Sequence, residues 1–370
     1  MLENGKISLR QFTILVTLFT IGDSILVLPS VATFEAKEDA WISAIIGMGV
    51  GWLVVCLLVV VSKLNPDLTF VESNKKILGS TLGTAVSLLF IAYFLLCASA
   101  NVREIGDFMT TQSMPETPIQ AIYVVFLCIV VMGVRLGLEA FARAGEVFFP
   151  GVILFFVTFI ILLLPQAHME NIQPVLAEGI KPVLRGSIST STFSSGQLVV
   201  FLMIMPYVNQ PKKILKGFFT GTLMGGVALI ILIIITILVL GADATSSNMY
   251  PSYSLAKKID IGRFLERIEA ILSLMWFVTI FFKIILFFYG LVLGLSQVLK
   301  LKEYKSLTLP AAMILMVLST LIAPNITYYN NVIARYWPFY DYTLNVLFPL
   351  LLLGVYGLRQ KLFSQSSDLE

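Results

Sequence analysis

A carboxylate, an amide and an ammonium stand where this sequence is otherwise apolar enough for a lipid bilayer. Asp23 lies in Gly22-Asp23-Ser24-Ile25, between the apolar residues Phe19 and Ile21 on one side and Ile25–Leu28 on the other, with Pro29 following. An ionisable side chain inside a span is costly and marks a functional site by default. Glycine and proline loosen the helical ladder there, and freed backbone groups are tolerated only against protein or a wet cavity. Gln197 follows Gly196 in a stretch made mostly of Ser, Thr and Gly, with Ser194 and Ser195 just ahead of it and Pro206 beyond. Half-helix ends expose N–H and C=O groups whose partial charges suit a zwitterion. An amino acid could set its carboxylate on a helix N-terminus and its ammonium near carbonyls or Asp23. The alternative role for Asp23 is a capping carboxylate that satisfies local N–H groups. For Ser194, Ser195 and Gln197 the alternative is inter-helix hydrogen bonding.

Two further stripes carry polar groups. Tyr93, Cys97 and Asn101 fall at i, i+4 and i+8, hence on one helical face. Glu269, Ser273, Trp276 and Lys283 follow at spacings of 4, 3 and 7, and also share a face. Lys283 costs several kcal/mol at its depth unless it pairs with a carboxylate or meets water. Arg103, near Glu104 and Asp107, reads as a paired or snorkelling charge. The expected ligand set is therefore Gly22, Asp23, Ser24, Ile25, Tyr93, Cys97, Asn101, Ser194, Ser195, Gly196, Gln197, Trp276 and Lys283. His168, the sole histidine, reads as a solvated loop residue beside Glu170. No catalytic or metal-ligating pattern is present, so neither an enzyme nor a cofactor is expected. Gly221–Gly226 lacks the Lys-Ser/Thr of a phosphate loop.

The elements that position these residues are membrane helices. The chain is 58% hydrophobic and 13% charged, whereas soluble domains carry about 25% charged residues. Its formal charge of +3 and the lack of basic clusters interleaved with aromatics argue against nucleic acid. Cys56, Cys97 and Cys128 lie in apolar runs and form neither a zinc spacing nor a disulfide framework. Lys6 and Arg10 precede the first run as in a signal peptide, but no small-x-small cleavage site follows, so this span is expected to be retained.

Runs near 20 apolar residues predict an all-α polytopic protein, residues 1–370 forming a single membrane domain without a soluble one. Ten transmembrane helices are expected at about 11–34, 41–62, 82–110, 118–138, 145–165, 186–209, 217–241, 266–297, 307–323 and 339–358. With both termini cytoplasmic, fifteen Lys and Arg fall on the inner side and eight on the outer, which include Lys257, Lys258, Arg263, Arg267 and Arg335. The acidic Glu35, Glu38 and Asp39 in the first outer loop suit that orientation.

Gly22-Asp23 to Pro29 and Gly196-Gln197 to Pro206 are two versions of one pattern, each opening a block of five spans. Five is odd, so the second block crosses in the opposite sense. A five-plus-five inverted repeat follows, about 11–165 and 186–358, with discontinuous helices one and six. Close packing of helices through small residues is the alternative use of the glycines and serines.

The chain resembles the B subunits of bacterial endospore germinant receptors, in the amino acid–polyamine–organocation superfamily. The resemblance rests on Gly22-x-x-Ile25-Leu26-x-Leu28-Pro29, on Asn171 to Pro182, on Gly196-Gln197-Leu198 through Pro206-Tyr207 with Pro211-Lys212-Lys213, and on Glu266-Arg267-Ile268-Glu269 with Trp276. Where family members often carry Gly-Glu this chain has Gly196-Gln197, so a titratable group in helix six is missing. The resemblance implies a transporter-like subunit that senses a small nutrient such as an amino acid and signals by changing conformation. It also implies an A subunit and a C-subunit lipoprotein as partners, and the spore inner membrane as location. A proton- or sodium-coupled amino acid permease, and a subunit lining an ion conduit, are the other readings.

Overall fold

Ser8 starts the first helix by a capping box: its hydroxyl accepts from the Gln11 N–H at 3.1 Å while the Gln11 side chain accepts from the Ser8 N–H at 2.9 Å. That helix, α1 (Leu9–Ile21), stops at Gly22, whose backbone has φ +22° and ψ −118°. The chain resumes as α2 (Ser24–Ala36), turns through Lys37–Asp39 and returns as α3 (Ala40–Leu64). A computed structural model describes residues 3, 5–258, 268–329 and 334–367. Among these no strand occurs, only an isolated parallel bridge between Ile7 and Val208. Residues 259–267, which carry the Glu266-Arg267 part of the family pattern and two of the outer basic residues, lie outside the described residues.

The remaining elements follow in order. A second capping box, Thr69 with Glu72, opens the short α4 (Phe70–Leu78). Then come α5 (Ser80–Phe108), continued by a π-helical turn Met109–Ser113, α6 (Ile119–Leu136) and α7 (Leu138–Leu163). The second half holds α8 (Ile180–Ser195), α9 (Ile214–Leu240), the short α10 (Ala242–Ser247) and α11 (Pro251–Lys257), α12 (Ile268–Val298) and α13 (Thr308–Leu321). A single turn, α14 (Ile326–Tyr328), precedes α15 (Ala334–Tyr342), which runs through a π-helical segment Thr343–Leu347 into α16 (Phe348–Ser367).

Seven helical runs among the described residues are long and apolar enough to cross a membrane. Where the sequence predicts ten full spans, Leu9–Ile21 and Lys305–Leu321 are apolar but shorter, and α8 gives way to 3-10 geometry at Leu198–Met203. Two of these shortfalls come from the breaks at Gly22–Asp23 and Gly196–Gln197. The run Ser24–Leu64 is 41 residues, about 60 Å if straight, but α2 and α3 pack on each other across the turn. Leu53, Val125 and Met313, exposed by 71%, 65% and 70%, belong to a large apolar surface suited to lipid rather than water. The chain is a polytopic membrane protein.

The core lies where α1, α9 and α12 meet. Phe12, Phe19, Phe201, Phe218 and Phe287 join there edge-to-face and tilted, with centroids 5.2–5.6 Å apart. Helices α3 and α8 approach closely because glycines face hydroxyls: a Cβ at Gly47 would strike Thr190, and one at Gly51 would strike Ser195.

A strap ahead of α1 closes one end. The Ile7 N–H donates to the Tyr207 carbonyl and the Asn209 N–H to the Ile7 carbonyl, both at 2.9 Å. Glu3 accepts from the Tyr304 hydroxyl at 2.8 Å and from Tyr289 at 3.4 Å. Burial, with this bond to Glu3, holds the Tyr304 phenol above its ordinary range.

Candidate functional site

The break between α1 and α2 is built around one buried ion pair. Lys283 of α12 donates to Asp23 Oδ1 at 2.5 Å, the two side chains being 1% and 6% exposed. Gly22 is required beside it: a Cβ would come within 2.6 Å of Lys283 Cδ and 2.8 Å of the Phe19 carbonyl. The Gly22 carbonyl, freed from the helix ladder, accepts from the Thr279 hydroxyl at 3.2 Å. Lys283 Nζ also lies 5.2 Å from the centre of the Phe19 ring. Asp23 makes no capping bond to α2, so the capping alternative gives way to the ion pair. Ser24 then joins the two breaks, its hydroxyl donating to the Phe193 carbonyl of α8 at 3.0 Å.

The second break has its own polar partners. Gln197 Nε2 donates to Asp341 Oδ2 at 3.2 Å, and the Tyr93 hydroxyl donates to Asp341 Oδ1 at 2.7 Å. Asn345 completes the group: its Nδ2 donates to the Tyr93 oxygen at 2.9 Å, and its Oδ1 accepts from the Val199 N–H at 2.9 Å. That last bond satisfies an amide released when α8 ends at Gly196. Tyr93, Asp341 and Asn345 have no solvent exposure, and Gln197 has 6%.

Seven of the expected residues fall into two groups. Gly22, Asp23, Ser24 and Lys283 meet at the first break, and Tyr93, Gly196 and Gln197 belong to the second. Asp23 therefore already has a cation, and Gln197 faces Asp341 rather than Asp23. Cys97 is buried one turn from Tyr93, and its carbonyl accepts from Asn101 Nδ2 at 2.7 Å. Among the described residues Asn101 Oδ1, Gln197 Oε1 and Trp276 Nε1 are buried without a hydrogen-bond partner. The Trp276 ring packs tilted against Phe108, with centroids 4.7 Å apart. Ser194 donates to the Thr190 carbonyl at 2.8 Å, and Ser195 contacts Ser194 at 3.3 Å while facing Gly51. Their hydroxyls serve α8 and its contact with α3. Ile25 is buried on a different side, where it lines an apolar cleft of about 360 Å³ with Ile21, Val152, Leu232 and Met275. Arg103 is paired as expected, to Asp107 at 2.8 Å, and donates to the Ala323 carbonyl at 3.0 Å.

Asp341 and Asn345 are the functional candidates that the sequence reading misses. They stand at i and i+4 in the last helical run, so one face presents both. Asp341 sits between two tyrosines at the margin of the expected tenth span, where a carboxylate reads as an end-of-helix residue. The π-helical segment beginning at Thr343 changes the helical phase there, and such segments are frequent at functional sites. Glu104 adds another carboxylate, accepting from the Tyr329 hydroxyl at 3.0 Å.

Known proteins resemble this chain in architecture or in sequence. The structure of MhsT in complex with L-phenylalanine superposes with a TM-score of 0.70, covering 94% of this chain and 97% of that one at 12% identity. Mhp1, a nucleobase-cation-symport-1 family transporter in a closed conformation with bromovinylhydantoin bound, gives 0.61, covering 95% and 76% at 13% identity. The fold is thus one that a known transporter, Mhp1, uses. Spore germination protein KB of Bacillus subtilis (strain 168) is 30% identical over 365 residues, 97% of each chain. Spore germination protein YndE of the same organism is 31% identical over 306 residues, 80% of this chain and 82% of its own. The family model described as "Spore germination protein" matches residues 6–327. This bears out the resemblance drawn from the sequence motifs, and the chain belongs to the spore germination protein family.

Proposed function

We propose that this chain is the transporter-like, small-molecule-binding subunit of a spore germinant receptor. One observation carries the reading: two helix breaks are tied together by Ser24 and Phe193, and one of them holds a buried pair of opposite charges. A zwitterion offers a carboxylate for Lys283 and an ammonium for Asp23, so an amino acid can exchange with the internal pair. Binding in this way separates α12 from the break and gives the ligand different affinities for two conformations, which is what a signal requires. The fold likeness to MhsT and Mhp1 supports a site at this depth. In this reading the chain crosses the membrane ten times as two inverted blocks of five, with helices one and six discontinuous. Both termini face the cytoplasm, the membrane is the spore inner membrane, and an A subunit and a C-subunit lipoprotein are the partners.

The test is binding of amino acids, sugars and nucleosides to the purified full chain in lipid nanodiscs, read by calorimetry. Saturable binding of one amino acid that is lost in both Asp23→Asn and Lys283→Met supports the proposal. Binding that survives both changes in folded protein refutes the exchange at the ion pair. The fold likeness to transporters also favours a second reading, a proton- or sodium-coupled permease. Saturable amino acid accumulation in liposomes by the chain alone selects that reading over sensing.

A further inference from the structure

The first break balances its own charge; the second does not. Asp341 has no solvent exposure, and no Lys, Arg or His side chain forms an ion pair with it among the described residues. Its neighbours are neutral on every packed element. Tyr93 and Cys97 face it from α5, Gln197 from the second break, and Tyr340 and Asn345 from its own helical run. The charges that reach it through space are those of Lys283 and Asp23, which are already joined to each other. A bare carboxylate in such a place carries a penalty of several kcal/mol.

We infer that Asp341 is a proton-binding site, holding its proton in the Tyr93–Asp341–Gln197 cluster. The hydrogen-bond geometry admits both forms of the carboxyl. Ionised, it accepts from Tyr93 at Oδ1 and from Gln197 Nε2 at Oδ2. Protonated at Oδ2, it needs an acceptor there, and Gln197 Oε1 is the buried acceptor without a partner. Rotating that amide by half a turn brings Oε1 to Asp341, because the two ends of the group have nearly the same shape. When the second break moves and water enters, the O–H bond breaks and the proton leaves to solvent. Acid therefore favours the arrangement with Asp341 buried, and alkali one in which it meets water. Proton binding here stands apart from small-molecule binding at the first break, and its test needs no ligand.

That test is infrared spectroscopy of the full chain in lipid nanodiscs, in H₂O and D₂O, between about pH 5 and pH 9, a range above ordinary carboxyl titration at about pH 4, in which solvated carboxyls are ionised and give no protonated-carboxyl band. The expected result is a protonated-carboxyl C=O band at neutral pH that shifts in D₂O, is lost in Asp341→Asn, and persists in Asp23→Asn and Glu104→Gln. A folded Asp341→Asn protein that keeps the whole band, or a wild type without one, overturns the assignment. Tyr93→Phe provides the second variant should Asp341→Asn not fold. It removes the donor to Oδ1, so the band moves in frequency without disappearing, and an unmoved band also overturns the assignment.

Discussion

Lys283→Met removes the cation from Asp23 and leaves its carboxylate buried without a charged partner. At 2.5 Å and an effective dielectric near 20, the Coulomb attraction is about 7 kcal/mol before desolvation is counted. Desolvation cancels much of this, and breaking a buried pair from one side costs about 3–5 kcal/mol in measured cases. Both side chains are more than nine-tenths buried, so no discount for solvent screening applies. Scaled by chain length, unfolding entropy is about 0.8 kcal/mol per kelvin, and the midpoint should fall by roughly 4–6 °C. The double variant Asp23→Asn with Lys283→Met has no orphaned charge, and replacing buried pairs outright is often neutral or stabilising by about 1–4 kcal/mol. Thermal unfolding of all four proteins in the same nanodiscs, followed by tryptophan fluorescence, completes the double-mutant cycle. The double variant should recover most of the stability lost in Lys283→Met. If the two single effects simply add, the pair is not coupled and the description of the first break is wrong.

Three further outcomes follow from packing and hydrogen bonding. Gly22→Ala places a Cβ within 2.6 Å of Lys283 Cδ at a backbone φ of +22°, and should cost about 1–3 kcal/mol, seen as a lower unfolding midpoint. Asn345→Ala strips the acceptor from the Val199 N–H, an orphaned buried donor worth about 1–3 kcal/mol, seen as a lower midpoint in the same assay. Gly51→Val drives a side chain into Ser195, and overpacking of about 1–3 kcal/mol should appear as faster proteolysis of the α3–α8 region, while Gly49→Ala, with open space around its Cβ position, should leave the digestion pattern unchanged.

Much of the architecture is legible in the sequence because the bilayer imposes it: long apolar runs, and two glycine-marked interruptions followed by proline. Both breaks fall at the expected glycines, Gly22 and Gly196. Partner choice is less legible. Lys283 reads as needing a carboxylate, yet no spacing along the chain says that the carboxylate is Asp23, 260 residues earlier. Gln197 reads as half of a pair with Asp23, whereas the turn of the last helical run brings Asp341 to it. Periodicity reports which residues share a face of one helix; it does not report how that helix is rotated against its neighbours. The Ser/Thr-rich stretch of α8 shows the same limit. Its hydroxyls were as compatible with a ligand as with packing, and Thr190, Ser191, Thr192 and Ser194 each donate to a carbonyl of α8 itself.

The strap ahead of α1 has a consequence for how the molecule can open. Ile7 is stitched to the backbone at Tyr207 and Asn209, just after the second break, while Glu3 holds Tyr304 and Tyr289 beyond and within α12. A short piece of irregular chain therefore acts as a latch across the end where both broken helices and α12 converge. With the termini on the cytoplasmic side, as proposed, a small molecule has its shorter way in from the opposite face. On that reading the protein works as an airlock with its inner door fastened: it samples the exterior, and the latch on the inner side is a handful of hydrogen bonds.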